Sequence, residues 1–413
     1  MVEPGPGRTP YGLSVHVSDA QRRSRLGVRH ALARPVDSPE AATRAMTVLH
    51  ATEAATVHLS CWARVSSVQV ADIDRALYAD RTLVKQLAMR RTLFVFPRDL
   101  LPAVWGSASA RVAAFERARM VKDIVRAGVA ADGDEWLDRA RHDILAVLAE
   151  APDGLTGVEV RQAVPHIAVK IAVGPGEVWS AARVLTHLGA TGDIARAVNG
   201  SRWAVNRPRW TLMRHWLDDV PEPLDPADGY REIVRRWLVT FGPGTEADLV
   251  WWLGATKAVV RAALASLEAV AVSLDGGGTG YLLPDDLDPV PDPGPWVALL
   301  PVLDPTIMGW QQRDFYLGPH RDQLFDTRGN AGPTAWVDGR TVGAWVQDDA
   351  GVVHVRLQQQ VPARARRALD AEAERLTDWL GGLRIGTVYP SPAMKEFLGS
   401  GRASSATGPT VPA

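Results

Sequence analysis

The stretch Val48–Arg64, VLHATEAATVHLSCWAR, and the one it leads to, Leu83–Phe96, LVKQLAMRRTLFVF, decide how the chain is read. The first reads as the end of one helix, a tight break and the start of a second. Met46 and Leu49 are spaced for one apolar helix face, and Val57, Cys61 and Trp62 carry the same spacing on the next. Thr52 stands between them as the expected N-cap, because its hydroxyl can accept from a free backbone N–H of the following turn. A third helix takes in Arg81–Leu87. Arg90-Arg91-Thr92 then leads into the alternating run Leu93-Phe94-Val95-Phe96, closed by Pro97. Three helices followed by a strand or hairpin make a winged helix-turn-helix, a common DNA-binding module. His50 and Thr52 fall at the break, where short polar side chains can face a ligand instead of the core.

Working outward, 413 residues exceed one ordinary core and predict two to four domains. The apolar fraction, 46%, is that of a globular protein. No run approaches the roughly 18 apolar residues of a membrane span. The opening MVEPGPGRTPYG has no apolar signal core, so export is not expected. A single cysteine, Cys61, excludes an internal disulfide framework and a cysteine-rich zinc site. A cytoplasmic setting fits. The net charge of -1 is no nucleic-acid signature, so DNA affinity must come from local patches.

The expected fold class is α+β, with tandem winged helix-turn-helix modules and a C-terminal β domain. Residues 1–37 form an N-terminal helical arm, whose helix Ser18–Ala33 carries Arg22, Arg23, Arg25 and Arg29. That helix is either a solvated face or a phosphate-contacting one, through Arg22 and Arg23. Residues 38–125 hold the first module, with Ser38 capping its first helix. Arg81, Lys85, Arg90 and Arg91 cluster beside its wing, where arginines grip phosphates or enter a minor groove. Residues 132–210 hold a second module, with Thr156 as a cap and a loop rich in Gly and Pro before the third helix. A hairpin, Ile194–Val198 with Arg202–Val205, crosses Asn199-Gly200 and brings Arg202 to the wing. Residues 228–283 hold a third, with Thr245 as a cap. LAEAPDGLTGVEV and LVTFGPGTEADLV share an apolar helix end, a Pro/Gly turn, a Thr and an acidic residue, so one plan recurs. Pro284–Pro295 is an acidic linker expected to be mobile. Residues 296–382 form a β domain with hairpins at Asp338-Gly339 and Asp349-Ala350-Gly351 and a closing helix, and 399–413 a disordered tail.

Several of these segments, in this order, resemble the AlkZ-like winged-helix DNA glycosylases. They are LHATEA with WAR, DRTLVKQLAMRRTLF, RRWLVTFGPGTEADLVWWLG, LLPVLDPTIMG and TAWVDGRTVGAW, covering about Ser18 to Gly382. The resemblance implies three winged-helix modules and a β domain around DNA, base excision of alkylated or crosslinked purines, and no cofactor. It also places His50-Ala51-Thr52 and Glu53-Ala54 where the family has Gln-x-Gln or Gln-x-Asp and then Asp-Pro. Both amides of that motif are absent here. Phe94 stands where the family's wing has a histidine, whereas Leu303-Asp304-Pro305 matches the family's strand end and makes Asp304 a residue near the site. Taken by itself, Asp304 before Pro305 reads as an Asx-type turn.

Hydrolysis of an N-glycosidic bond requires a water near C1′ and stabilisation of positive charge on the sugar. For a cationic alkylated purine the leaving group is already activated. A neutral His50 can accept a proton from water, Thr52 can orient it, and Glu53 supplies a carboxylate one residue on. The bland alternative makes Thr52 a cap only and His50 a partly buried histidine on a carbonyl. The resulting expectation is a DNA glycosylase, an N-glycosidic bond hydrolase, acting in the cytoplasm as a monomer on duplex DNA, without metal, cofactor or membrane. His50, Thr52 and Glu53 are the catalytic candidates. Arg22, Arg23, Lys85, Arg90, Arg91 and Arg202 are the DNA-binding ones. The alternative is a non-catalytic DNA-binding relative that shields lesions, confers self-resistance or regulates transcription.

Overall fold

The computed structural model describes residues 15–174, 176–199 and 203–396. The chain is mixed α/β with small sheets, and it divides into two units of discontinuous sequence. Met1–Val68, Trp237–Leu249 and Glu268–Ala413 make the first unit; Gln69–Arg236 and Val250–Leu267 make the second.

In the first unit, helix α1, Asp19–Arg29, starts at Ser18, whose hydroxyl accepts from the Gln21 N–H. Helix α2, Pro39–Ala45, starts at Ser38 in the same way. Helix α3, Ala54–Trp62, is buried along its whole length, as its small and apolar sequence AATVHLSCW permits. An antiparallel sheet runs Val297–Leu300, Thr334–Val337, Arg340–Gln347, Val353–Leu357 in spatial order. Its expected turn is present: Asp338 and Gly339 both have positive φ, 47° and 80°, as a type I′ turn demands. The closing helix Ala363–Leu380 lies against the first and last of these strands.

What ties α3 to that sheet is a polar stripe. Thr56, Ser60 and Arg64 recur every four residues, so they share one face. Thr56 Oγ1 donates to the Val302 carbonyl at 2.9 Å, and Ser60 Oγ to Asp304 Oδ2 at 2.8 Å. Arg64 makes a two-pronged pair with Asp304, at 2.9 and 2.7 Å, and reaches Thr306 Oγ1 at 2.8 Å. Asp304 also accepts from the Thr306 N–H and so caps the short helix Pro305–Met308, the Asx-type turn expected there. Arg64 and Asp304 are both fully buried. Beside them His30 Nδ1 meets Thr306 Oγ1 at 2.9 Å, and its ring packs edge-on to Phe241 and stacked on Trp310.

In the second unit, helices Gly133–Ala149, Gly157–Ala163 and Ser180–Thr191 enclose one apolar core with the sheet Leu155–Thr156, Pro208–Leu212, Ile194–Asn199. Thr156 caps Gly157–Ala163 and forms a capping box with Glu159. Three expectations fail here. Arg81–Leu87 is not helical: Leu83–Ala88 is a strand, paired in register with Thr92–Pro97. It is buried on nearly every position, so it shows no period by which a strand could be told from a helix. The return strand for Ile194–Asn199 is Pro208–Leu212, not Arg202–Val205. The Asn199 side chain instead binds the Val205 carbonyl and the Arg207 N–H, which delays the return. The Gly- and Pro-rich loop contains a hairpin, Lys170–Val173 with Gly176–Trp179.

The linker after Leu283 is also pinned rather than loose. Arg25 grips both carboxylate oxygens of Asp286 at 3.0 Å and the carbonyls of Asp286 and Asp288, and Arg29 joins the same carboxylate. The expected tail, 399–413, lies outside the described residues.

Two stability outcomes follow. Arg64→Met leaves the Asp304 carboxylate buried without its cation and should cost about 3–5 kcal/mol in urea unfolding. The pair Arg64→Met/Asp304→Leu should recover much of that loss; a single variant within about 1 kcal/mol of wild type contradicts the account. Burial, with the Arg64 cation second, pushes the His30 pKa well below its ordinary 6.5. The unfolded chain therefore binds a proton near pH 6.5 that the folded chain refuses. Stability from this source is complete above that pH and falls below it, by up to about 1.4 kcal/mol per pH unit. His30→Gln, which cannot titrate, should show a shallower loss between pH 6.5 and 5; parallel curves contradict it.

Candidate active site

The residues ahead of α3 set the site. His50 ends the extended pair Leu49–His50 and is 7% exposed. Its Nδ1 accepts from the Thr52 N–H at 3.4 Å, a long bond. A neutral imidazole accepting at Nδ1 carries its proton on Nε2, so the second nitrogen is a donor. Thr52 is half-buried. It does not occupy the cap position: α3 begins at Ala54, with Glu53 in that position, and the Glu53 side chain makes no cap bond. The Thr52 N–H points back to His50, which draws residue 52 out of the helical path.

Glu53 is engaged elsewhere. Its Oε1 accepts from Thr387 Oγ1 at 3.0 Å and from the Val388 N–H at 2.8 Å. This C-terminal segment is held in turn by Gln347, which bonds the Leu383 carbonyl and the Ile385 N–H. No sequence signal marked that contact. Asp304 is joined to α3 through Ser60 and Arg64, but it is completely buried, so it positions the helix and does not line an open site. The spacing of Thr56, Ser60 and Arg64 by four was the available signal for this partnership.

The arginines of α1 turn inward. Arg22 is 8% exposed and lies over the Phe315 ring at 3.6 Å, with its pKa lowered by burial. Arg23 donates to the Phe315 carbonyl at 2.7 Å. Neither the solvated face nor the phosphate-contacting one is realised for Arg22, because it is buried between Asp19 of its own helix, at 3.6 Å, and Phe315 of the distant Asp314–Leu317 helix of the same unit. The cations expected beside a wing belong to the second unit. Arg90 and Arg91 form the turn between Leu83–Ala88 and Thr92–Pro97, both with positive φ, 54° and 59°. Arg90 stacks on Trp251 at 4.1 Å. Arg91 is half exposed and pairs with the buried Glu116 at 3.2 Å. Phe94 is a core residue between Phe96 and Trp252. Lys85 is half-buried and donates to Tyr78 Oη at 2.7 Å. Arg202 lies outside the described residues.

Among the described residues, no helix is long and apolar enough to cross a membrane. No curated protein matches the chain by sequence. Among solved structures, the Streptomyces sahachiroi DNA glycosylase AlkZ has a similar fold, with a TM-score of 0.69 at 20% identity over 87% of this chain and 97% of that one. The sequence profile described as DNA glycosylase AlkZ-like matches residues 43–379, a span that opens just before His50 and ends within the closing helix. On that match, the chain belongs to the AlkZ-like DNA glycosylase family.

Proposed function

We propose that the protein is a DNA glycosylase that releases cationic alkylated purines, or bulky purine adducts, from duplex DNA, with His50 and Thr52 at the reacting sugar. One observation carries this reading. His50-Ala51-Thr52 falls inside the family match and directly precedes a helix that is buried throughout and anchored by Arg64–Asp304. A constellation fed from so rigid an element suits catalysis by positioning. The DNA-binding frame in this reading is the tandem winged-helix plan, with Arg91 at a wing turn as one phosphate contact.

The chemistry needs little from the protein. A purine alkylated on a ring nitrogen carries a positive charge. When the C1′–N bond breaks, the base keeps the electron pair and becomes neutral, leaving the charge on the sugar. A water then adds to C1′ and gives up its proton to solvent. His50, accepting at Nδ1, presents an Nε2–H. It holds an oxygen in place instead of taking the water's proton. The Thr52 hydroxyl accepts from the same water and keeps an electron-rich group near the sugar.

A second reading, a lesion-binding relative without catalysis, is favoured by the absence of both motif amides and by the fate of Glu53, whose carboxylate oxygen is held by Thr387 and Val388.

Single-turnover release of 7-methylpurines from methylated duplex DNA decides between them. Wild type should release base, and His50→Ala should lower the rate by about 10²-fold while DNA affinity stays within a few-fold. Glu53→Gln should leave the rate within a few-fold, because that carboxylate is not directed at the sugar. Wild type that releases nothing yet prefers methylated over undamaged DNA supports the second reading. Neither release nor preference overturns both.

A further inference from the structure

The second unit holds a pair of cations that the site described above does not use. Lys85, on the strand Leu83–Ala88, and Arg196, on the strand Ile194–Asn199, line one small cleft with Leu87, Leu93, Ile194 and Trp210 and with Thr186 and Gly189 of the helix Ser180–Thr191. Arg196 lies over the Trp210 ring at 4.8 Å, and among the described residues it makes no hydrogen bond or ion pair. Lys85 donates to Tyr78 Oη, a neutral partner, and its ammonium also faces the Tyr78 ring at 5.0 Å. No carboxylate lines the cleft; Asp74 acts on Lys85 only from a distance. Most arginines of this chain are matched to an acid or a carbonyl: Arg64 to Asp304, Arg25 to Asp286, Arg183 to Asp123 at 2.7 Å. Two neighbouring cations in a mainly apolar cleft that no carboxylate lines create a site that favours an anion.

The pKa values carry the mark of this crowding. Burial first, and the Arg196 cation second, bring Lys85 down to about 8, and burial brings Arg196 down to about 10. A bound anion would raise both.

Shape narrows the ligand. The cleft encloses about 10 Å³, which is room for one oxygen-sized group and not for a base or a sugar. Tyr78 links it to a wider, open groove of about 480 Å³, lined by Asp74, Arg75, Tyr78, Val198, Asn199 and Trp203 among others. Tyr78 lines this groove while its hydroxyl holds Lys85, and the strand Ile194–Asn199 contributes to both hollows. An extended polyanion lying along the groove can therefore dip one oxygen into the cleft while its sugars pass Tyr78 and Trp203.

We propose that Lys85 and Arg196 form a phosphate site that clamps one phosphodiester of bound DNA. The identity of the occupant rests on the glycosylase reading; the anion site itself does not. Gln86 keeps the clamp rigid by donating to the Gly189 carbonyl at 2.8 Å and to Ser109 Oγ at 3.2 Å, which ties the Lys85 strand to the helix Ser180–Thr191.

The test uses the full chain and four variants: Lys85→Met, Arg196→Gln, the double variant and Arg196→Lys. The probes are an undamaged duplex and inorganic phosphate, with thermal melting to check folding. Each neutral substitution should weaken duplex binding at 0.1 M salt and reduce the log–log salt slope in part, and the double variant should reduce it by about 0.9, the value for one phosphate. Arg196→Lys should restore most of the slope. Folded variants with wild-type slope and affinity overturn the proposal. If wild type binds no duplex even at low salt, the DNA reading fails separately, and phosphate decides the site. A rise in melting temperature with phosphate in wild type but not in the double variant keeps an anion site with a free phosphate as its occupant. Equal responses in the two remove the site altogether.

Discussion

The buried ion pair between Arg64 and Asp304 is the constraint on which the first unit depends. Neither group can be buried alone: Asp304 accepts from Arg64, Ser60 and the Thr306 N–H, while both terminal nitrogens of Arg64 bond the carboxylate and also reach a carbonyl and a hydroxyl, leaving only its Nε without a partner among the described residues. Such a pair contributes less to stability than to uniqueness, since an apolar replacement can be as stable whereas a half-broken pair is not. Here it sets the register of α3 against the strand end at Leu303-Asp304-Pro305. Asp304 is the one acid paired with Arg64 among the described residues, so it fixes where Arg64 is buried.

That register places His50 and Thr52. They belong to the few residues between an extended pair and an enclosed helix, and the Thr52 N–H turned back to His50 Nδ1 shapes the break. The resemblance implies Gln at the first of these two positions and Gln or Asp at the second. An imidazole whose Nδ1 accepts from the Thr52 N–H keeps only the Nε2–H donor, where a side-chain amide would bring an oxygen acceptor and two N–H donors. In the proposed reading, histidine takes over the donor half of an amide's orienting role without becoming a base. Threonine is the poorer substitute, with a shorter reach and a single oxygen.

Local chemistry was legible in the sequence and distant pairing was not. Ser38, Thr156 and Thr245 were recognisable as caps because a cap acts within three residues, and each accepts from the N–H three residues on. The turn at Asp338-Gly339 was legible because two adjacent positive φ angles select those residue types. The helix expected over Arg81–Leu87 gives way to the strand Leu83–Ala88 because burial on both faces erases periodicity. The Arg25 partner, Asp286, lies 261 residues away, so a row of arginines on α1 looked like surface or a DNA contact when it was an internal clasp. The expected mobile linker failed for the same reason, since its acidic residues are the other half of that clasp. Glu53 was a catalytic candidate by position alone; its bonds to Thr387 and Val388 could not be read from spacing.

The central claim is that the break before α3 is built around positive charge at C1′. An enzyme of this kind binds a mimic of its transition state more tightly than it binds a neutral analogue. Equilibrium binding should therefore be compared for two duplexes that differ at one position: a cationic aza-sugar, which imitates the charged sugar, and a neutral tetrahydrofuran abasic site. The account expects the cationic duplex to bind at least about 10²-fold more tightly, with the preference lost in the double variant His50→Ala/Thr52→Ala. Equal affinity for the two duplexes in the wild-type protein would contradict it.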